Sequence, residues 1–121
     1  KSNSTMGVDI TANISYILSE FQKEEFNPSD LVKFLYKKKK DYSILKEVFF
    51  DNDGIEPDSN QVYESLTVLM PHFIGAGSAG KLRILSKEGC KTMYKFYEPA
   101  MNKKEISELE TLSKEFQKFS K

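Results

Sequence analysis

Apolar residues recur at three- and four-residue spacing through most of this chain, and the spacing breaks only over the glycine-rich stretch 75–80 and residues 81–97. That spacing lays side chains along one stripe of an α-helix, so the chain is written as packed helices with one interruption. Its 121 residues suit a single domain. Ile14, Ile17, Leu18 and Phe21 mark a first helix over residues 11–26. Asn27-Pro28-Ser29-Asp30 resets the chain, with Ser29 or Asp30 as the cap of the next helix.

A second helix over 30–39 buries Leu31, Phe34 and Leu35 and ends in Lys37–Lys40, whose charges suit a helix C-terminus. A third, over 42–50, carries Ile44, Leu45, Val48 and Phe49, and Asp51-Asn52-Asp53-Gly54 is a turn. A fourth starts at Asp58 or Ser59 and places Val62, Leu66 and Leu69 on one face up to Pro71. Residues 82–85 and 91–97, around Lys87-Glu88-Gly89, read as two short strands and a turn, although 82–90 also reads as a short helix. Asn102 caps a last helix whose seam is Ile106, Leu109, Leu112, Phe116 and Phe119. The expected class is mainly α with a small β-hairpin (α+β). Residues 1–10 are expected to be a disordered N-terminus, in part added ahead of Met6, and residues 11–121 one domain.

Charge narrows the function classes. The chain holds 18 basic and 18 acidic residues, so net charge alone gives no case for nucleic acid. The charges are segregated, however: residues 31–40 hold five Lys and no acid, residues 41–70 one Lys against seven acids, and residues 71–104 seven Lys or Arg against two acids. No apolar run approaches a membrane span and no signal-peptide pattern opens the chain. A lone cysteine, Cys90, rules out an intrachain disulfide. It points to a reducing, cytoplasmic setting.

A helix–turn–helix followed by a β-hairpin and a closing helix is the layout of a winged helix, here with extra N- and C-terminal helices. In that layout one helix enters the major groove and the hairpin lies along the backbone. Residues 58–70 are the recognition-helix candidate, with Ser59, Asn60, Gln61 and Ser65 reading bases, since Asn and Gln pair bidentately with adenine. Residues 81–97 are the wing, with Lys81, Arg83, Lys87 and Lys91 on phosphates. Lys37 and Lys38 either join them or form a solvated helix end.

Val62-Tyr63-Glu64-Ser65-Leu66-Thr67-Val68-Leu69 resembles the recognition helix of PadR-like winged-helix regulators, and Met93-Tyr94-Lys95-Phe96-Tyr97 resembles their second wing strand. Two features depart from the pattern: the candidate recognition helix has no Arg or Lys, and the loop before it carries Asp51, Asp53, Glu56 and Asp58. The resemblance implies a homodimer built by the terminal helices. Residues 102–119 are then the dimerisation helix, through Ile106, Leu109, Leu112, Phe116 and Phe119. The other use of that seam is to cover the domain's own core.

Other motifs carry less. Gly75-Ala-Gly77-Ser-Ala-Gly80 spells a dinucleotide fingerprint, but a helix precedes it where a strand is required. Asp51-Asn-Asp-Gly fails as a calcium loop, because Phe49 and Asn60 would stand at ligand positions one and twelve. His72 and Cys90 stand alone, too few for structural zinc and without an orienting group for nucleophilic catalysis. The expectation is a non-enzymatic, cofactor-free, cytoplasmic homodimer that binds double-stranded DNA as a transcription regulator or a plasmid or phage site-binder. The alternative is a winged-helix protein-interaction module without DNA. Whether the lysines, the 58–70 helix and the wing share a face separates the two.

Overall fold

The computed structural model describes residues 6–51 and 56–120. Among them five α-helices and three strands stand in the order α1 (Met6–Glu20), β1 (Glu25–Phe26), α2 (Pro28–Lys38), α3 (Asn60–Leu69), β2 (Ile74–Ala76), β3 (Leu82–Ile84), α4 (Lys87–Tyr97) and α5 (Lys103–Phe119). Single 3₁₀ turns stand at Ser43–Leu45 and Glu98–Ala100. The protein is therefore mainly helical with a small antiparallel sheet. Among the described residues no helix is long and apolar enough to cross a membrane.

Helix α1 is packed on by α3, α4 and α5. Accordingly it buries Ile10, Ala12, Ile14, Ile17 and Leu18 together with Thr11, Asn13 and Ser15. Two of these small polar residues find partners: Thr11 Oγ1 and Ser65 Oγ lie 2.9 Å apart, and Asn13 Nδ2 donates to the Ile44 carbonyl at 3.4 Å, whereas the buried Ser15 Oγ has no hydrogen-bond partner among the described residues. The aliphatic side chains of this core each contribute about 1.5–3 kcal/mol by leaving water. Helix α1 begins at Met6, inside the stretch expected to be disordered, and ends at Glu20 rather than near residue 26. Beyond it Glu25–Phe26 is extended, because this short strand is needed to pair with β3.

The later helices start on side-chain caps. Asn27, one of the residues of the reset and not Ser29 or Asp30, caps α2 by accepting from the Ser29 N–H, with Pro28 in the first turn. Ser59 caps α3 and Ser86 caps α4. Asn102 and Glu105 form a reciprocal capping box on α5. The expected helix over 42–50 is only the turn Ser43–Leu45. The Phe49 N–H, which would have continued it by donating to the Leu45 carbonyl, is taken by a tertiary partner, and backbone groups of Ile44 and Val48 are held by side chains as well. The Glu108 carboxylate accepts from Ile44 N–H, Lys39 Nζ donates to the Val48 carbonyl, and the Phe49 amide donates to Gln61 Oε1. The Asp51–Gly54 turn lies, for positions 52–54, outside the described residues.

The sheet order is β1-β3-β2, antiparallel throughout, with Glu25 opposite Arg83 and Ile74 opposite Ile84. The hairpin is thus β2–β3, not 82–85 with 91–97. Its turn closes through Gly77 N–H to the Lys81 carbonyl and Lys81 N–H to the Ser78 carbonyl, with Gly80 at φ 80°. Residues 91–97 belong to α4, where Cys90 and Tyr94 are buried one turn apart and Tyr94 meets Tyr16 of α1 edge-on at 5.0 Å between ring centres. The seam of α5 is spent inside the chain: Leu109, Leu112 and Phe116 are fully buried, with Phe116 against Phe21 and Phe34.

Candidate interaction face on α3

Helix α3 buries Val62, Ser65, Leu66 and Leu69, so its outward face is Asn60, Tyr63, Glu64, Thr67 and Val68. Val68 is 57% exposed. Two residues expected to read DNA point elsewhere. Ser65 is turned inward onto Thr11, and Ser59 is buried as the cap, accepting from Val62 N–H and donating to the Phe49 carbonyl at 2.9 Å. Gln61 is half-buried and holds the Phe49 amide, leaving Asn60 as the fully outward member of the expected set. Phe49 is consequently fixed by both its backbone groups to the start of α3 while its side chain is 71% exposed.

Carboxylates surround this face. Asp51 and Asp58 face each other across a two-hydrogen-bond bridge of 2.7 and 2.8 Å, and both are exposed. Glu56 is exposed and pairs with Lys33 of α2 at 3.4 Å, and Glu64 stands on α3 itself. The Tyr63 phenol is raised above its ordinary value by partial burial, then by Asp58 and Glu56, which places those charges within electrostatic reach of the face. No Lys or Arg lies on α3.

The basic residues expected on DNA are dispersed among other elements. At the hairpin, Lys81 is exposed in the turn, but Arg83 is held by Glu24 and Glu25 at 2.9 Å each. Glu25 also accepts from Ser78, and that bond leads Arg83 and Lys81 in holding its carboxyl below the ordinary value. Lys87 and Lys91 are not at a wing tip. Both stand on α4, Lys87 half-buried in the first turn and Lys91 paired with Glu20 at 3.3 Å. Lys37 is exposed near the end of α2, and Lys38 pairs with Glu115 of α5 at 3.3 Å.

Of the expected dimer residues, Leu109, Leu112 and Phe116 are enclosed by their own chain, Ile106 is half-buried, and Phe119 is 40% exposed beside Phe34. Sequence reasoning does not single out Phe49, Tyr63 and Val68 as surface residues. The signal was present for two of them, because a helix that buries Val62, Leu66 and Leu69 must turn Tyr63 and Val68 away.

No protein-family model, curated protein or solved structure matches this chain.

Proposed function

We propose that the chain is a winged-helix module that docks a protein partner on the outward face of α3. The order α1-β1-α2-α3-β2-β3 and the sheet order β1-β3-β2 support the winged-helix layout, since the hairpin directly succeeds a helix with one uncovered face. The observation that carries the protein reading is the charge of that face. Asp51, Glu56, Asp58 and Glu64 gather at α3 beside exposed Phe49, Tyr63 and Val68, and α3 supplies no cation. Duplex DNA is bound largely by neutralising phosphates with Lys and Arg. Exposed aromatic and apolar side chains within a polar rim suit a protein surface instead.

A second reading keeps DNA as the partner, in the role of a cytoplasmic, homodimeric regulator or plasmid or phage site-binder. It is favoured by Lys81 in the hairpin turn beyond α3 and by Lys37 and Lys40 at the end of α2, which carry no ion pair among the described residues. Selection from a randomised duplex pool at low salt, run beside partner capture with the native chain and its Val68→Asp variant, tests both. The expected result is no enriched duplex, and protein partners retained by the native chain and lost by the variant. An enriched duplex whose binding falls steeply with salt and is lost in Asn60→Ala would establish the DNA reading instead.

A further inference from the structure

The opposite chemistry is concentrated elsewhere on the molecule. An open groove of about 430 Å³ is lined by Lys39, Lys40, Asp41, Tyr42, Ser43, Lys46, Lys104 and Glu108. Its four lysines come from three separate segments: the end of α2, the stretch after the 3₁₀ turn, and the first turn of α5. Sequence distance therefore hides the cluster, for Lys104 stands far along the chain from Lys40.

We infer that this groove binds a phosphate-bearing anion. Three observations combine. First, the walls are fixed: Tyr42 donates to Glu115 at 2.6 Å, while Ser43 Oγ and Ile44 N–H both donate to Glu108 Oε1, at 2.9 and 3.2 Å. A bound anion would meet lysines already gathered by the fold. Secondly, the charges do not balance. Four lysines line the groove against two acids, and one of those, Glu108, is already taken up by the 3₁₀ turn. Lys39 is engaged with the Val48 carbonyl at 2.6 Å and lies over the Phe50 ring, whereas Lys40, Lys46 and Lys104 are exposed and have no ion pair among the described residues. The excess of positive charge suits a multiply charged phosphate anion, and lysine binds phosphate as a point charge. Thirdly, the groove is bordered by the start of a 17-residue helix, α5, whose dipole adds positive potential there. The volume lies within the range of small-ligand sites.

The phosphate could be supplied by a small phosphorylated molecule or by a nucleic-acid backbone, and the inference stands apart from the docking role of α3. The test is titration of the ¹⁵N-labelled full chain with pyrophosphate at constant ionic strength. Saturable shifts are expected at residues 40–46 and 103–105. Lys46→Gln and Lys104→Gln should each weaken binding about tenfold, the size of one lost charge-assisted hydrogen bond. Lys104→Arg should retain it, and Lys118→Gln, at the far end of α5, should leave it unchanged. A short duplex that competes for the same residues would name nucleic-acid phosphate as the source. Pyrophosphate binding without duplex binding would name a small phosphate ligand. Shifts that fail to saturate, or that spread equally over lysines outside the groove, would overturn the inference.

Discussion

Gly89 and Phe73 occupy one space: a Cβ on Gly89 would overlap the Phe73 ring. The ring would have to turn aside on its own, because the Phe73 backbone is held on both sides and cannot carry it away. Its N–H donates to the Leu69 carbonyl, and its own carbonyl accepts from Leu85 and Ser86. Gly89→Ala should therefore cost about 1–3 kcal/mol by overpacking, despite alanine's better helix propensity. Urea denaturation measures it, and Phe73→Leu in the same chain should recover part of the loss. An alanine variant as stable as the native chain would show that the ring moves freely.

The Tyr42–Glu115 hydrogen bond should make stability depend on acid pH. This bond, more than the neighbouring Lys38, holds the Glu115 carboxyl below its ordinary value. A carboxylate with a lowered folded pKa contributes stability that is present above its unfolded pKa and lost as pH falls through the folded value. Tyr42→Phe should cost about 0.5–1 kcal/mol near neutrality, solvent access keeping the figure small. The gap between variant and native chain should narrow as pH drops below the usual glutamate range. Denaturant midpoints across a pH series check this, and a gap independent of pH would remove Glu115 from the account.

Cys90 should be chemically silent until the chain unfolds. It is fully buried in α4, and burial pushes its thiol up to about 11, so little reactive thiolate forms at neutral pH. Labelling with a disulfide reagent should proceed at the unfolding rate and accelerate with urea. Fast labelling of the native protein would mean that α4 opens locally.

Gly89 also explains where the sequence misleads. Lys87-Glu88-Gly89 looks like a hairpin turn, yet the glycine sits in the first turn of α4 because Phe73 lies across it. A packing demand from outside the helix wrote a turn residue into it. The true strands, Ile74–Ala76 and Leu82–Ile84, are three residues each, too short for alternation to register, and glycines at 75 and 77 make the first look like loop. By contrast, the buried faces of α2, α3 and α5 come directly from spacing, as does the Asn102 cap. The same spacing puts Ser65 on the buried stripe, three residues after Val62 and four before Leu69, so spacing alone argues against its assignment to DNA. The ion pairs of Arg83 with Glu24 and Glu25 were not legible, since they depend on the register of β1 on β3. Nor was the division of the α5 seam between core and partner, because a helix face alone does not say which surface covers it.

Adjacent positions at the start of α3 should separate structure from recognition. Ser59 is buried, caps the helix and donates to the Phe49 carbonyl, so Ser59→Ala should lower stability by about 1–2 kcal/mol. It should also loosen the backbone that presents Phe49. Asn60 is exposed and its side chain makes no hydrogen bond among the described residues, so Asn60→Ala should change stability by no more than about 0.5 kcal/mol. Thermal denaturation gives both values. Phe49→Ala should be equally mild for folding, because its ring is largely in water, yet it should weaken partner binding as the most exposed aromatic beside α3. If Phe49→Ala unfolds the protein instead, the side chain belongs to the core in solution and the docking face shrinks to the outward residues of α3.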